Sequence, residues 1–447
     1  MTGTTSRRRS WRATRAAGLP PGPRWPALVQ TLVWVLAPVE FGRFCLRRYG
    51  PLFTARIVGY GPVVHVCAPD TVHRVLRTEA DRFDATKANE VIRFVVGGHS
   101  LLLSAGAAHT ARRRVLMGPL HGANVARYVA LMESIVEREV RGWRVGETVR
   151  LLECCQRITL EVMMRAVFGI TDSARLARLR LLVPRLLDIS PLVILMPAAR
   201  RHFGGHGPWA RLHALITEVD GIIHAELAER RATPRGGPDV VSVLLSSGEP
   251  VTDAELRDHL VTLLAVGQET TATQLAWLFE RLLRCPGALG AVTSATHRGD
   301  REVIDAAINE AVRARPTTMD VGRVALEPWE ANGYRVPAGT LFAVSLGLLH
   351  RSPSAYPDPE RYDLDRCPVR GPGFLPFGAG SHRCLGASLA MTEMRTIVAA
   401  VLRSVRLEPD RPAAEWARPK GPMLLPHRGA SARVVANHLL DGVARSC

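Results

Sequence analysis

Near its C-terminus the chain reads FLPFGAGSHRCLGASLAMTEMR, from Phe374 to Arg395. Gly378, Gly380 and Gly386 crowd around Cys384, and the basic pair His382 and Arg383 precedes it. Beyond the cysteine, Met391, Met394, Val398 and Val401 recur at helical spacing, which predicts a helix with one face in the core. Cys384 then stands near a helix N-terminus, where free N–H groups and the helix dipole favour an anion. A thiolate is the anion available, and this placement is expected to lower its pKa. Such a sulfur serves as a nucleophile or as a metal ligand.

A nucleophilic cysteine wants a histidine base. His382 is two residues away on a tight loop, which is poor geometry for that role, and no Gly-x-Ser-x-Gly elbow exists. None of the eight cysteines forms a Cys-x-x-Cys pair, so zinc ribbons and iron–sulfur clusters lack support. A single thiolate does suit haem iron. The glycines would let the backbone approach the ring, and their N–H groups would tune the sulfur.

Three further constellations carry chemistry. GQETT, Gly267 to Thr271, interrupts an otherwise apolar helical stretch between LVTLLAV and LAWLF. Glycine, acid and alcohols in mid-helix break local rules, as functional sites do. Glu310 and Arg313 are three apart on a predicted helix that Pro316 stops, so they share a face. HTARRR, His109 to Arg114, is a basic cluster.

With these in place the chain resembles the cytochrome P-450 monooxygenases over roughly residues 20 to 435. Phe377-x-x-Gly380-x-His382-x-Cys384-x-Gly386 is similar to the cysteine-loop motif of that family, and Gly267 to Thr271 to its oxygen-activation motif. Glu310-x-x-Arg313 resembles the buried pair that precedes the cysteine, and YPDPERYDLDR the meander, with Arg366 as third member of the ion network. The resemblance implies haem b with Cys384 as iron ligand. His109, Arg113, Arg323 and His382 would meet the propionates, and Phe377, Gly378 and Gly386 would border the ring. It implies insertion of one oxygen atom from O₂ into an apolar small molecule, with Glu269 and Thr270 relaying protons through water and Gly267 leaving room for O₂. Peroxide-driven peroxygenase or isomerase activity on the same fold is the alternative. Val266 departs from the family, which usually carries alanine or glycine there, and is expected to narrow the space above the iron.

The elements that must position these groups follow from pattern. The 447 residues are 47% hydrophobic and 22% charged, a globular composition. Thr252-x-x-Glu255 is a capping box and Cys285-Pro286-Gly287 a stop, which predicts one helix from 252 to 284. Residues 51–70 read as two strands around a turn at residues 59–62, and the segment after Pro316 as short strands. The expected fold is mainly α: a single large helical domain with a small β-sheet part, spanning 26–447 after a basic, proline-rich tail at 1–25. Residues 82–104, 175–210 and 316–322 are expected to shape the substrate pocket.

The net charge is +17, almost all of it from arginine, with only Lys87 and Lys420 as lysines. Neither lysine follows a glycine, which excludes a P-loop and disfavours Schiff-base chemistry. No zinc-finger, basic-zipper or aromatic-basic repeat supports nucleic-acid binding. The apolar run from Ala27 to Val39 is broken by Gln30 and is too short to span a membrane. Scattered cysteines suggest a reducing compartment, so a cytoplasmic enzyme is expected. Lacking flavin or iron–sulfur segments, it would take electrons from a small acidic ferredoxin with an NAD(P)H-dependent reductase. Arg112 and Arg114 are expected to face that partner.

Overall fold

The computed structural model describes residues 18–189, 193–194, 200, 206–246, 251–366 and 373–440. Cys367, Cys447, most of the N-terminal tail and part of 175–210 lie outside the described residues. After α1 (Ala27–Leu36) and α2 (Pro38–Tyr49), the helices that frame the site are α3 (Gly106–Met117), α5 (Asp253–Leu283), α6 (Arg301–Ala314) and α7 (Ala387–Ser404), with α4 (Leu151–Val162) packed on α5. The strands that matter are β1 (Leu52–Ile57), β2 (Gly61–Val66), β3 (Phe83–Asp84), β4 (Val321–Ala325), β5 (Leu341–Val344), β6 (Ala417–Lys420) and β7 (Met423–Pro426).

The mainly helical expectation holds. The organising element is α5, whose 31 residues make a rod of about 46 Å. Its start is fixed by the expected capping box: Glu255 N–H donates to Thr252 Oγ1, and Thr252 N–H to Glu255. Two-thirds of its side chains are buried, because α4, α6, α7 and β7 pack around it. A helix surrounded on most sides is apolar nearly all round, so the polar GQETT stretch stands out.

The small sheet runs β1-β2-β5-β4-β3. β1 and β2 form the hairpin expected at 51–70, with Leu52 opposite Val66 and Ile57 opposite Gly61. β5 lies parallel to β2 and antiparallel to β4, placing Arg323 opposite Phe342. Phe83, Trp329 and Phe342 meet edge to face at 5.2–5.4 Å beneath this sheet, a geometry that matches ring edges to ring faces. The sheet thus presents β4 and its arginine toward the helical layer, where α5 and α7 pack against each other.

Candidate active site

α7 begins where its pattern predicted, with Gly386 as N-cap. Met394, Val398 and Val401 are buried in the helical core, and Met391 packs against it half-buried. The loop before it is held tightly. Cys384 N–H donates to Phe377 O (2.9 Å), and Gly378 N–H to Leu375 O (3.0 Å). Gly378 and Gly380 both take left-handed φ, +69° and +70°, the conformation glycine adopts without strain. A Cβ on Gly380 would strike the Leu76 carbonyl at 2.1 Å, so that glycine admits neighbouring backbone. A Cβ on Gly378 or Gly386 would meet open space, and both line the cavity beside Cys384.

The Cys384 side chain is exposed toward that cavity, while protein crowds the sulfur from the other sides. Burial raises its thiol pKa above the ordinary value. The Gly386 N–H, Arg383 and Arg113 pull the other way without overcoming it. The expected lowering by the helix N-terminus is present as the Gly386 N–H, but here desolvation outweighs it.

The cavity holds about 480 Å³ and collects the predicted residues from four parts of the chain: His109 and Arg113 of α3, Gly267 and Thr270 of α5, Arg323 of β4, and Phe377 with His382 of the loop. His109 and His382 stand with ring centroids 4.1 Å apart. His382 is pushed down to about 4, by burial first and then by His109, Arg323 and Arg113. Burial and Arg113 lower His109. Arg323 falls to about 10 through burial, and its hydrogen bond goes to the Gly322 carbonyl. Among the described residues no carboxylate pairs with Arg113 or Arg323. Two half-buried guanidiniums, beside two imidazoles held toward their neutral form, make an electropositive rim that an anion would satisfy. A haem carries two propionates, so a cysteine sulfur open to the cavity, the glycines around it and two guanidiniums without carboxylate partners fit that group.

The GQETT segment divides. Thr270 and Thr271 face the cavity and donate to the carbonyls of Val266 (2.6 Å) and Gly267 (3.1 Å). Val266 lines it, 40% exposed, as expected of a side chain that narrows the space. Gly267 lines the cavity beside Met163, whose Cε would sit 3.2 Å from a Cβ at that position. Gln268 turns to α4, donating to Gln156 O. Glu269 also turns away. It is buried outside the cavity lining, and Lys420 Nζ at the end of β6 donates to its Oε1 at 2.6 Å. Successive helix residues point about 100° apart, so the acid and the alcohol do not share one wall.

The ion network forms as expected. Glu310 and Arg313 are fully buried and paired through two hydrogen bonds of 2.7 and 2.8 Å. Arg366 reaches Glu310 at 3.3 Å. Sequence reading missed the link to the loop. Arg313 donates to the His350 carbonyl (3.1 Å), and the His350 ring accepts the Leu375 N–H (2.9 Å). Arg112 is half-buried, bonded to Ser104 Oγ (2.6 Å) and 3.5 Å from Glu255, while Arg114 and Arg383 are exposed.

Residues 82–104 and 316–322 do line the cavity, through Ala85, Leu101, Thr318 and Val321 among others; no described residue of 175–210 does. Two carboxyls in the lining had no sequence signal. Asp320 accepts from Ser345, 3.9 Å from His65. Glu393 of α7 is fully buried with an Oε1 that has no partner, and desolvation raises it to about 8.

Comparison with known proteins agrees with this geometry. The profile of the cytochrome P450 family matches residues 20–432. A Mycobacterium tuberculosis protein named "Putative cytochrome P450 135B1" is 38% identical over 449 residues, covering 97% of this chain and 95% of its own. Among solved structures, the retinoic acid-bound cyanobacterial CYP120A1 superposes with a TM-score of 0.82 at 20% identity, over 94% of this chain and 99% of that one. The cytochrome P450DA heme domain gives 0.81 at 22% identity, over 94% and 97%. At these identities the structural likeness establishes the fold.

Proposed function

Because the chain belongs to the cytochrome P450 family, and is thereby an oxidoreductase of haem-thiolate monooxygenase type using haem b, we propose the following division of labour. Cys384 is the iron ligand, His109, Arg113, Arg323 and His382 receive the propionates, and Phe377, Gly378 and Gly386 border the ring. The observation that carries this reading is the pair of guanidiniums, Arg113 and Arg323, without carboxylate partners among the described residues, beside His109 and His382 in the cavity onto which Cys384 opens. When bound, the haem supplies the redox chemistry by which one atom of O₂ enters the substrate.

The chain's own residues do the rest. Thr270 holds a hydroxyl at the cavity wall, where it passes protons inward. Lys420 holds Glu269 behind that wall, so the acid feeds Thr270 from the protein side rather than from the pocket. Leu101, Leu263, Val266 and Val321 make the distal cavity largely apolar and exclude water. Polar groups remain in that lining, among them Asn89, His259, Thr262 and the Asp320 carboxylate, and the substrate is an apolar molecule with a hydrogen-bond donor to meet Asp320. Electrons come from a small acidic ferredoxin with its reductase, docking where Arg114 and Arg383 are exposed. Product from O₂ and reduced ferredoxin distinguishes this from a peroxide-driven reaction, and Thr270 at the cavity favours the former.

The test is spectroscopic. The purified protein, reduced under carbon monoxide, is expected to show the red-shifted Soret band of thiolate ligation, and Cys384→Ser to lose it. A wild-type protein without that band overturns the assignment.

A further inference from the structure

α1 packs Val33 and Trp34 against the core yet leaves its leucines outside. Its two polar side chains, Gln30 and Thr31, are buried, while Leu28, Leu32 and Leu36 are 62%, 51% and 71% exposed. The polar pair is fully used. Gln30 donates to the carbonyls of Pro23 (3.1 Å) and Trp25 (2.7 Å) and accepts from Arg56 N–H (2.9 Å). Thr31 donates to Ala27 O and accepts from Val58 N–H, each at 2.8 Å. These bonds rivet the helix to the end of β1 in one orientation, in which its leucines face outward.

Leu28, Leu32 and Leu36 follow at i, i+4 and i+8 and form one stripe along the helix. Trp25 extends the stripe and stacks on Phe44 of α2, centroids 5.4 Å apart and 19° from parallel. Val29 and Val58 widen it. An apolar face of this extent, held outward by buried polar bonds, marks an interaction site.

The charge beside it selects the partner. Before Glu40 the chain has no acidic residue, and it carries Arg7, Arg8, Arg9, Arg12, Arg15 and Arg24. Arg24 is exposed next to Trp25. An apolar stripe supplies one membrane signal and a polybasic segment the second, the combination that gives stable surface binding without a span. Tryptophan at the edge of such a face suits the headgroup level. We propose that α1, with Trp25 and the arginine-rich segment before it, docks this enzyme peripherally on an anionic lipid surface.

The experiment is vesicle co-sedimentation of the full-length holoprotein, with phosphatidylcholine vesicles containing phosphatidylglycerol against phosphatidylcholine alone. Binding is expected to the anionic vesicles and to weaken with salt. It is expected to fall about tenfold or more in Leu28→Asp/Leu32→Asp, with haem content unchanged. A second variant, with Arg7, Arg8 and Arg9 changed to Ser, removes charge without altering α1 and is expected to weaken binding as well. Absence of binding to anionic vesicles, equal binding of the leucine variant, or equal binding to neutral vesicles overturns the proposal. So does a wild-type dimer in sedimentation velocity that the leucine variant abolishes while vesicles go unbound, which would assign the face to a second copy of the chain.

Discussion

Replacing Glu310 by alanine should unseat the cysteine loop from a distance. Arg313 is fully buried and draws on Glu310 through two short bonds, on the carbonyls of His350 and Arg361, and on the face of Tyr356 at 5.2 Å. Removing the carboxylate leaves a buried guanidinium without its countercharge and strips the acceptor from Asp363 N–H (3.1 Å). Breaking a buried pair in this way costs about 3–5 kcal/mol. That is a large part of the roughly 5–15 kcal/mol by which native domains are stable. Arg366→Ala should cost less, about 1–2 kcal/mol, because its contact is longer and partly exposed. The disturbance reaches the cofactor site through one path: Arg313 to His350, and His350 to Leu375 at the mouth of the loop. The assay is haem per protein and urea midpoint for wild type, Glu310→Ala and Arg366→Ala. Expected is a protein that binds little haem for Glu310→Ala and a milder loss for Arg366→Ala. Normal haem content in Glu310→Ala, or equal losses in both variants, would refute the reasoning.

Thr270→Ala is expected to lower product per NAD(P)H at least about tenfold while peroxide release rises; unchanged coupling defeats the relay. Lys420→Met should slow product formation without altering substrate-binding spectra, and a wild-type rate would reduce Lys420 to a structural role. Glu393 gives a pH prediction. Its folded pKa of about 8 lies above the ordinary 4.5, so the folded state retains a proton that the unfolded state releases, and stability falls as pH rises through that window. Glu393→Gln should therefore gain on wild type by about 3 kcal/mol between roughly pH 5 and pH 7.5; parallel stability–pH curves would show that the carboxyl does not carry this burden. Asp320→Asn should weaken ligands bearing a hydroxyl or amine about tenfold relative to their hydrocarbon analogues in Soret-shift titrations, and an equal effect on both ligand classes would remove Asp320 from recognition.

What could be read along the chain was whatever acts within one turn of backbone. The capping box at Thr252, the Glu310–Arg313 spacing and the cysteine between glycines are local patterns, and each folds as its spacing requires. The misses are long-range. Lys420 reaches Glu269 across 151 positions, His350 joins Arg313 to Leu375, and the glycine at 267 faces Met163 of a different segment. Nothing near any of these residues announces its partner, because side-chain pairing across elements is decided by packing. Desolvation is equally invisible, which is why the helix N-terminus suggested a lowered Cys384 pKa while burial raises it. In the N-terminal run the polar interruption was legible, and what it builds was not. Gln30 interrupts the apolar run from Ala27 to Val39, which argues against a span. In the folded chain that same glutamine faces inward, bonded to Pro23, Trp25 and Arg56. A polar residue among leucines is usually placed on the water side by inspection. Here the backbone groups it must satisfy lie inside, so the leucines are turned out, and a feature that rules out crossing a membrane also builds the face that can rest on one.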